Sequence, residues 1–429
     1  MATSDQIHLP RGSRVTPEGH LEVGGCDVVE LAREFGTPAY VYAEDDIRSR
    51  ARDYVAAFSE RTDDFEILFA SKAAPITEVF RIVLDEGLSV DVASAGEFHL
   101  ALRAGCDPHR IYLHGNNKTE TDLRLATEAG VGHVVCDSFD EIERLDALLD
   151  RPQDVMIRVT PGIKANTHSF IQTGELDSKF GFGLEHGLAT RGIEAIRSSS
   201  NLRLAGLHAH IGSQIFELEP YVKTIEALGR LADDAGLSEE ELRLLNVGGG
   251  LGIAYEPGDD PPSIESYVEL KVEGVKRVFS PAPRILVEPG RSLVGNAGIT
   301  LYEVGTVKEI PGVRTYVAVD GGMSDNLRPM LYGARYDAIV ANRAAETAEV
   351  SVTVAGMHCE SSDIIVRDVG MAAPRVGDIL ATPATGAYGH AMANNYNGMQ
   401  RPPVIFVRDG EARVVVRRET LDDLAARDV

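Results

Sequence analysis

Between residues 65 and 290 the chain alternates short apolar runs with amphipathic stretches of helical period. Each apolar run ends on a polar residue and a loop, the rhythm of repeated β/α units. Predicted strand ends fall at Phe69–Lys72, Ser89–Asp91, Ile111–His114, Val134–Asp137, Met156–Thr160, Gly206–His210, Leu244–Val247 and Ile285–Glu288. Helical patterns intervene over Ala95–Ala104, Thr119–Ala129, Ser138–Leu149, Gly187–Ser198 and Glu219–Ala235. Eight units in about 220 residues have the size of a (β/α)8 barrel, a TIM barrel, whose chemistry collects at the C-terminal ends of its strands. An open doubly wound sheet is the competing architecture. Polar residues at strand ends across the whole series favour the barrel. The longest gap, between the fifth and sixth strands, holds Asn166–Gly174 and Ser178–Gly183, an insertion able to close over a site.

After Pro289 the period shortens. Alternating runs at Thr300–Ile310, Thr315–Asp320, Glu349–Ala355, Asp363–Val366, Ile379–Thr382, Pro403–Val407 and Glu411–Arg417, divided by turn residues, predict an all-β domain. Ahead of the barrel, a helix over Asp27–Phe35 is stopped by Gly36. An extended piece follows at Thr37–Tyr42, then a helix over Asp45–Ser59 with Glu44, Asp45 and Asp46 at its start, where acid is favoured. The fold class is therefore α/β: a barrel over residues 37–289, with residues 1–36 and 290–429 forming a second, sandwich- or barrel-like β-domain.

With 429 residues, two domains are the natural expectation. The formal net charge of −24 argues against nucleic acid or an anionic membrane as partner. An anionic ligand then needs a local basic pocket. Cys26, Cys106, Cys136 and Cys359 form no CxxC pair, which points away from zinc, a disulfide framework or any metal, and towards a reducing cytoplasm. The first ten residues lack the basic and apolar regions of a signal peptide, and no apolar run approaches the roughly 18 residues of a membrane span.

Lys72 sits where the first strand should end. Such a lysine is either a stem snorkelling into water or an amine desolvated by apolar walls, able to form Schiff bases with aldehydes. Asn246-Val-Gly-Gly-Gly-Leu-Gly252 follows the seventh strand, where clustered glycines let backbone N–H groups approach an anion and where barrels bind phosphate. His208 and His210 point the same way from the sixth strand. A metal pair is conceivable, but no third ligand has suitable spacing; stacking on an aromatic cofactor, with Ser213 donating to a phosphate, uses these residues better. Glu288-Pro-Gly-Arg291 ends the eighth strand. Glu288 is either paired with Arg291 or placed to keep a pyridine nitrogen protonated. Arg328 and Tyr332 read as surface residues when taken alone. Cys359, between His358 and Glu360, is a proton donor or a nucleophile if it is not a buried hydrophobe.

Ser71-Lys72, HxHIGSQ, GGGLGI, EPGR, CESSD and GAY…NYN, in this order, resemble the diaminopimelate decarboxylase family of alanine-racemase-like, fold type III pyridoxal phosphate enzymes. The resemblance spans about residues 20 to 420. It implies a homodimer with active sites at the interface, a small amino-acid substrate and pyridoxal 5′-phosphate as cofactor. Lys72 then carries the cofactor and His210 stacks on its ring. Ser213, Gly249, Gly250 and Tyr388 contact its phosphate, Glu288 partners its ring nitrogen, and Asp91, Gly290 and Arg291 also border it. Arg291, Arg328, Tyr332 and Tyr388 bind substrate. Cys359 is the general acid and Glu360 meets the distal ammonium, both from the neighbouring chain. Ala73-Ala74 and Ser361-Ser362 depart from the commoner Ala-Asn and Ser-Gly without removing a chemical group. Decarboxylation of ornithine, lysine, arginine or carboxynorspermidine, an amino-acid racemase and a non-catalytic cofactor carrier are the alternatives.

Overall fold

Eight parallel strands form one ring: β1 (Phe65–Ala70), β2 (Ser89–Val92), β3 (Ile111–Leu113), β4 (His133–Cys136), β5 (Gln153–Thr160), β6 (Leu202–His208), β7 (Leu244–Asn246) and β8 (Arg284–Val287). β5 pairs with both β4 and β6, and β8 pairs with β1, so the barrel closes. The computed structural model describes residues 7–163 and 178–429. Asn166–Gly174, expected as a covering insertion, lies outside the described residues. Among the described residues no helix is long and apolar enough to cross a membrane.

The barrel interior is packed rather than hollow. Leu68, Tyr112, Val135, Met156, Ala205, Leu244 and Leu286, one from each of seven strands, form a single buried cluster. Local sequence sets where the surrounding helices begin. The Ser94 hydroxyl accepts from Glu97 N–H ahead of helix Ala95–Arg103, while Glu97 reaches back to Ala93 N–H. Thr119 and Asp122 close a capping box ahead of Glu120–Ala129. These caps satisfy N–H groups that a helix start leaves without partners, and they hold the loops that follow β2 and β3.

The barrel unit comprises Arg50–Gly252 and Pro261–Gly290; Met1–Ser49, Ile253–Asp260 and Arg291–Val429 form the second unit. The boundary expected at residue 37 therefore moves. Strand Ala39–Ala43 pairs antiparallel with Gly298–Leu301 and parallel with Val404–Val407, which ties it to the β-rich unit. Residues 253–260 join that unit too, with Ile253 and Tyr255 in its core. Its central element is the 13-residue strand Gly298–Ile310. The first part pairs with Ala39–Ala43 and Ile379–Thr382, the second with Arg314–Val319, so one strand serves two sheets. Each sheet covers its own core, one built on Val41, Leu301 and Ile405, the other on Val304, Val317 and Val354.

Candidate active site

Glu288 follows β8 and is buried. Its Oε1 accepts from Asn246 Nδ2 at 2.6 Å and lies 3.1 Å from His114 Nε2; His208 Nε2 lies 3.3 Å from Oε2. The two imidazoles meet edge to face, 4.9 Å between centroids. Burial alone would raise the Glu288 carboxyl, but His208 and His114 outweigh it and hold it well below its usual value. Burial also works against a charge on His114, yet Asp91 and Glu288 override it and raise that pKa. His208, deeper still, falls to about 4. Positive charge beside Glu288 is thus favoured on His114, and His208 is a neutral donor. Asp91, 3.9 Å from His114 Nε2, is pushed up to about 6 by burial against the pull of that histidine.

The glycine loop after β7 fits a phosphate cradle. A Cβ on Gly249 would stand 2.0 Å from the Glu288 carbonyl oxygen; one on Gly250, at φ +103°, would stand 2.4 Å from that of Gly212. Only glycine lets the backbone come this close. Gly249 N–H donates to His210 Nδ1 at 3.2 Å, leaving the imidazole proton on Nε2. Burial, reinforced by the charge of Lys72, holds His210 well below its usual pKa, so its ring is neutral. The Ile215 N–H donates to the Gly250 carbonyl at 2.9 Å, fastening the loop to the turn that carries half-buried Ser213.

Lys72 leaves β1 in a single 3-10 turn, Ser71–Ala73. It is exposed, not walled in by apolar side chains, which corrects the desolvated-amine reading. Its charge still reaches Asp91 and His210. Gly290 packs beside that turn: a Cβ there would lie 3.1 Å from Ala70 and Ala73. Lys72, Asp91, His210, Gly249 and Glu288 thus belong to one connected group at the C-terminal ends of the strands. An exposed amine, a glycine cradle and a buried, ionised carboxylate are the donor set that a pyridoxal phosphate needs.

In the β-rich unit, Arg291 and Arg328 are both buried, against the surface reading for Arg328. Tyr255 separates them, with its ring centroid 5.7 Å from the Arg291 guanidinium carbon and 4.9 Å from that of Arg328. The Tyr255 hydroxyl accepts from Arg291, and the Tyr336 hydroxyl accepts from Arg328. Burial would raise the Tyr255 phenol, but the two guanidiniums lower it; Tyr336 rises to about 12 through burial. Tyr388 lies under Arg291 at 4.9 Å and is held at φ +62°, a conformation disfavoured for a side chain of its size. Tyr332, half-buried, ends the short helix Arg328–Tyr332.

Cys359 and Glu360 form a separate, exposed group. Cys359 N–H donates to Asn397 Oδ1 at 3.2 Å, and Glu360 accepts from the Tyr396 hydroxyl. His358 Nδ1 lies 2.9 Å from Asp363 Oδ2, and its ring stacks on Tyr396.

The sequence marks His114 only as a strand end and Asn246 only as the start of the glycine motif, and gives no role to Tyr255, Tyr336 or Lys271. The third group that His208 lacked by spacing is present. His114, His208 and Glu288 place ligand-type atoms within 4.8 Å of one another, from three strand ends far apart in sequence. They are engaged with each other as a charged hydrogen-bonding cluster.

The family model for the pyridoxal-binding domain of pyridoxal-dependent decarboxylases matches residues 44–295. Diaminopimelate decarboxylase of Bacillus subtilis (strain 168) is 46% identical over 425 residues, covering 97% of each chain. That of Actinosynnema pretiosum subsp. auranticum is 47% identical over 428 residues, 98% of this chain and 95% of the relative. The crystal structure of the M. jannaschii enzyme with L-lysine has a TM-score of 0.91 at 31% identity, covering 99% of this chain and 98% of that one. The chain belongs to the pyridoxal-dependent decarboxylases and, within them, to the diaminopimelate decarboxylase family.

Proposed function

We infer that this chain decarboxylates meso-2,6-diaminopimelate to L-lysine and CO2 with pyridoxal 5′-phosphate as cofactor, the last step of lysine biosynthesis. Near full-length likeness to diaminopimelate decarboxylases carries the reading. The bound cofactor supplies an electron sink for the pair left behind when CO2 departs. Lys72 offers the amine that holds it, and the Gly249–Gly250 backbone with Ser213 receives its phosphate. Glu288, kept ionised by His114 and His208, holds a proton on the ring nitrogen.

A substrate with a second amino-acid end needs a distal clamp. The planar forks of Arg291 and Arg328 suit its carboxylate, with Tyr332 and Tyr388 alongside, and Glu360 suits its ammonium. The Cys359 thiol returns a proton to the carbon that has lost CO2. We assign Cys359 and Glu360 to the neighbouring subunit of a homodimer working in the cytoplasm.

The test is CO2 release from meso-diaminopimelate, L-lysine and L-ornithine in parallel. Release from diaminopimelate alone is expected; release from either of the others overturns the roles of Arg328, Tyr332 and Glu360. Lys72→Ala abolishes turnover, and Cys359→Ala slows it by about 10²- to 10⁴-fold, the usual contribution of a general acid. Full activity in Cys359→Ala removes that residue from the mechanism.

A further inference from the structure

Within the barrel unit the groups assigned to the phosphate, Ser213, Gly249 and Gly250, carry no formal charge, while the chain as a whole carries −24. A nearby cation would strengthen the hold of such a backbone cradle on a dianion. Lys271 is placed to provide one. It lies on the buried face of helix Ile264–Val278 with Tyr267, Val268 and Val275, and is 0% exposed. Its Nζ donates to the carbonyls of Val247 at 2.7 Å and Gly248 at 2.9 Å, directly behind the glycine loop. The ring centroids of Tyr267 and Tyr221 stand 4.2 and 4.5 Å away. All four partners are electron-rich, surroundings that favour the ammonium form against the burial that opposes it.

The contrast with Lys118 sharpens the point. That lysine is equally sequestered, but Glu141 neutralises it at 2.7 Å. Lys271 has no carboxylate in an ion pair among the described residues. Burial draws its pKa well below the usual lysine value, and the charge of Glu288 opposes that pull. Burying an unpaired charge is costly unless something at the site offsets it.

The loop geometry shows what the lysine holds. The Gly248 carbonyl also accepts from the Tyr267 hydroxyl at 3.1 Å and from Glu288 N–H at 3.2 Å. Three donors on one oxygen fix its peptide plane, and in a trans peptide the N–H points opposite to the C=O. Gly249 N–H therefore faces away from Lys271, towards His210. Gly250 N–H donates to no group among the described residues.

We propose that Lys271 is the buried cation of the phosphate cradle, orienting the Val247–Gly249 backbone and supplying from behind the loop the positive charge that a phosphate dianion meets. It is a positioning residue, and the inference rests on the pyridoxal phosphate reading above. Full-length protein freed of cofactor is titrated by absorbance with pyridoxal 5′-phosphate and, separately, with pyridoxal, which lacks the phosphate. Lys271→Met and Lys271→Gln are expected to lose about 10- to 100-fold in affinity for the phosphorylated compound, the scale of one charge at short range in a partly shielded site. Affinity for pyridoxal stays as in the unaltered protein. Undiminished binding of pyridoxal phosphate by Lys271→Met overturns the proposal. Retention by Lys271→Gln alone overturns the charge, since an amide can still hold the carbonyls. Parallel loss of both compounds in both variants assigns Lys271 to the fold instead and also overturns it. Failure of the unaltered protein to bind either compound strikes the cofactor reading, not Lys271.

Discussion

His114 and His208 face one carboxylate, yet their protonation is driven apart. His114 lies between two acids, Asp91 and Glu288, whereas His208 is wholly enclosed and has His114 as a cationic neighbour. Histidine resonances followed by NMR against pH should show one of the pair titrating above the usual 6.5 or so and the other near 4. Both moving together would refute the charge assignment beside Glu288. None of this was legible from spacing. His114, His208, Asn246 and Glu288 close strands three, six, seven and eight; His208, Asn246 and Glu288 stand out within their own motifs, but their meeting around one carboxylate with His114 follows only from the closed barrel. Lys271 left a faint trace: it shares the i, i+4, i+8 stripe of Tyr267 and Val275, where a solvated lysine does not belong.

The glycine loop is the element whose sequence and structure agree most closely, because its residue type is required by distance. Gly249→Ala would drive a methyl group to 2.0 Å from the Glu288 carbonyl. A loss of about 3 kcal/mol or more is expected, with weakened retention of pyridoxal phosphate. Gly258, at φ +100° with nothing within 4 Å of a Cβ, is the control. Alanine there meets only backbone strain, of about 1 kcal/mol. Thermal melts of the two variants check the contrast, and equal losses would contradict it. The eight barrel strands were readable because each is an apolar run closed by a polar residue. Ala-Tyr-Val-Tyr-Ala, residues 39–43, is apolar too, but nothing in it names its sheet. Its partners begin at Gly298 and Val404, and only pairing assigns it away from the barrel.

Taken whole, the molecule carries its excess acid outside and its unusual acids within. Asp325, in the β-rich unit, accepts from the Tyr302 hydroxyl and from Gly322 N–H, and burial pushes it up to about 7. Its folded pKa lies above the unfolded one. It therefore binds extra protons in the folded state, and its contribution to stability is present below about pH 4 and lost as pH rises through 7. Asp325→Asn should flatten that decline in denaturant titrations of this unit between pH 4 and 7, a difference of a few kcal/mol at about 1.4 kcal/mol per pH unit. A parallel decline in the variant would show that another group is responsible. The same unit is assembled from three stretches of chain, the first ending at Ser49 and the last running from Arg291 to Val429. During synthesis, at about 5–20 residues per second, Ala39–Ala43 emerges tens of seconds before the strands that flank it. Its early neighbours in the chain are the barrel residues, which can gather while it waits. The nascent protein thus carries this apolar strand without its sheet partners through most of its translation, when an unpaired edge is open to other chains.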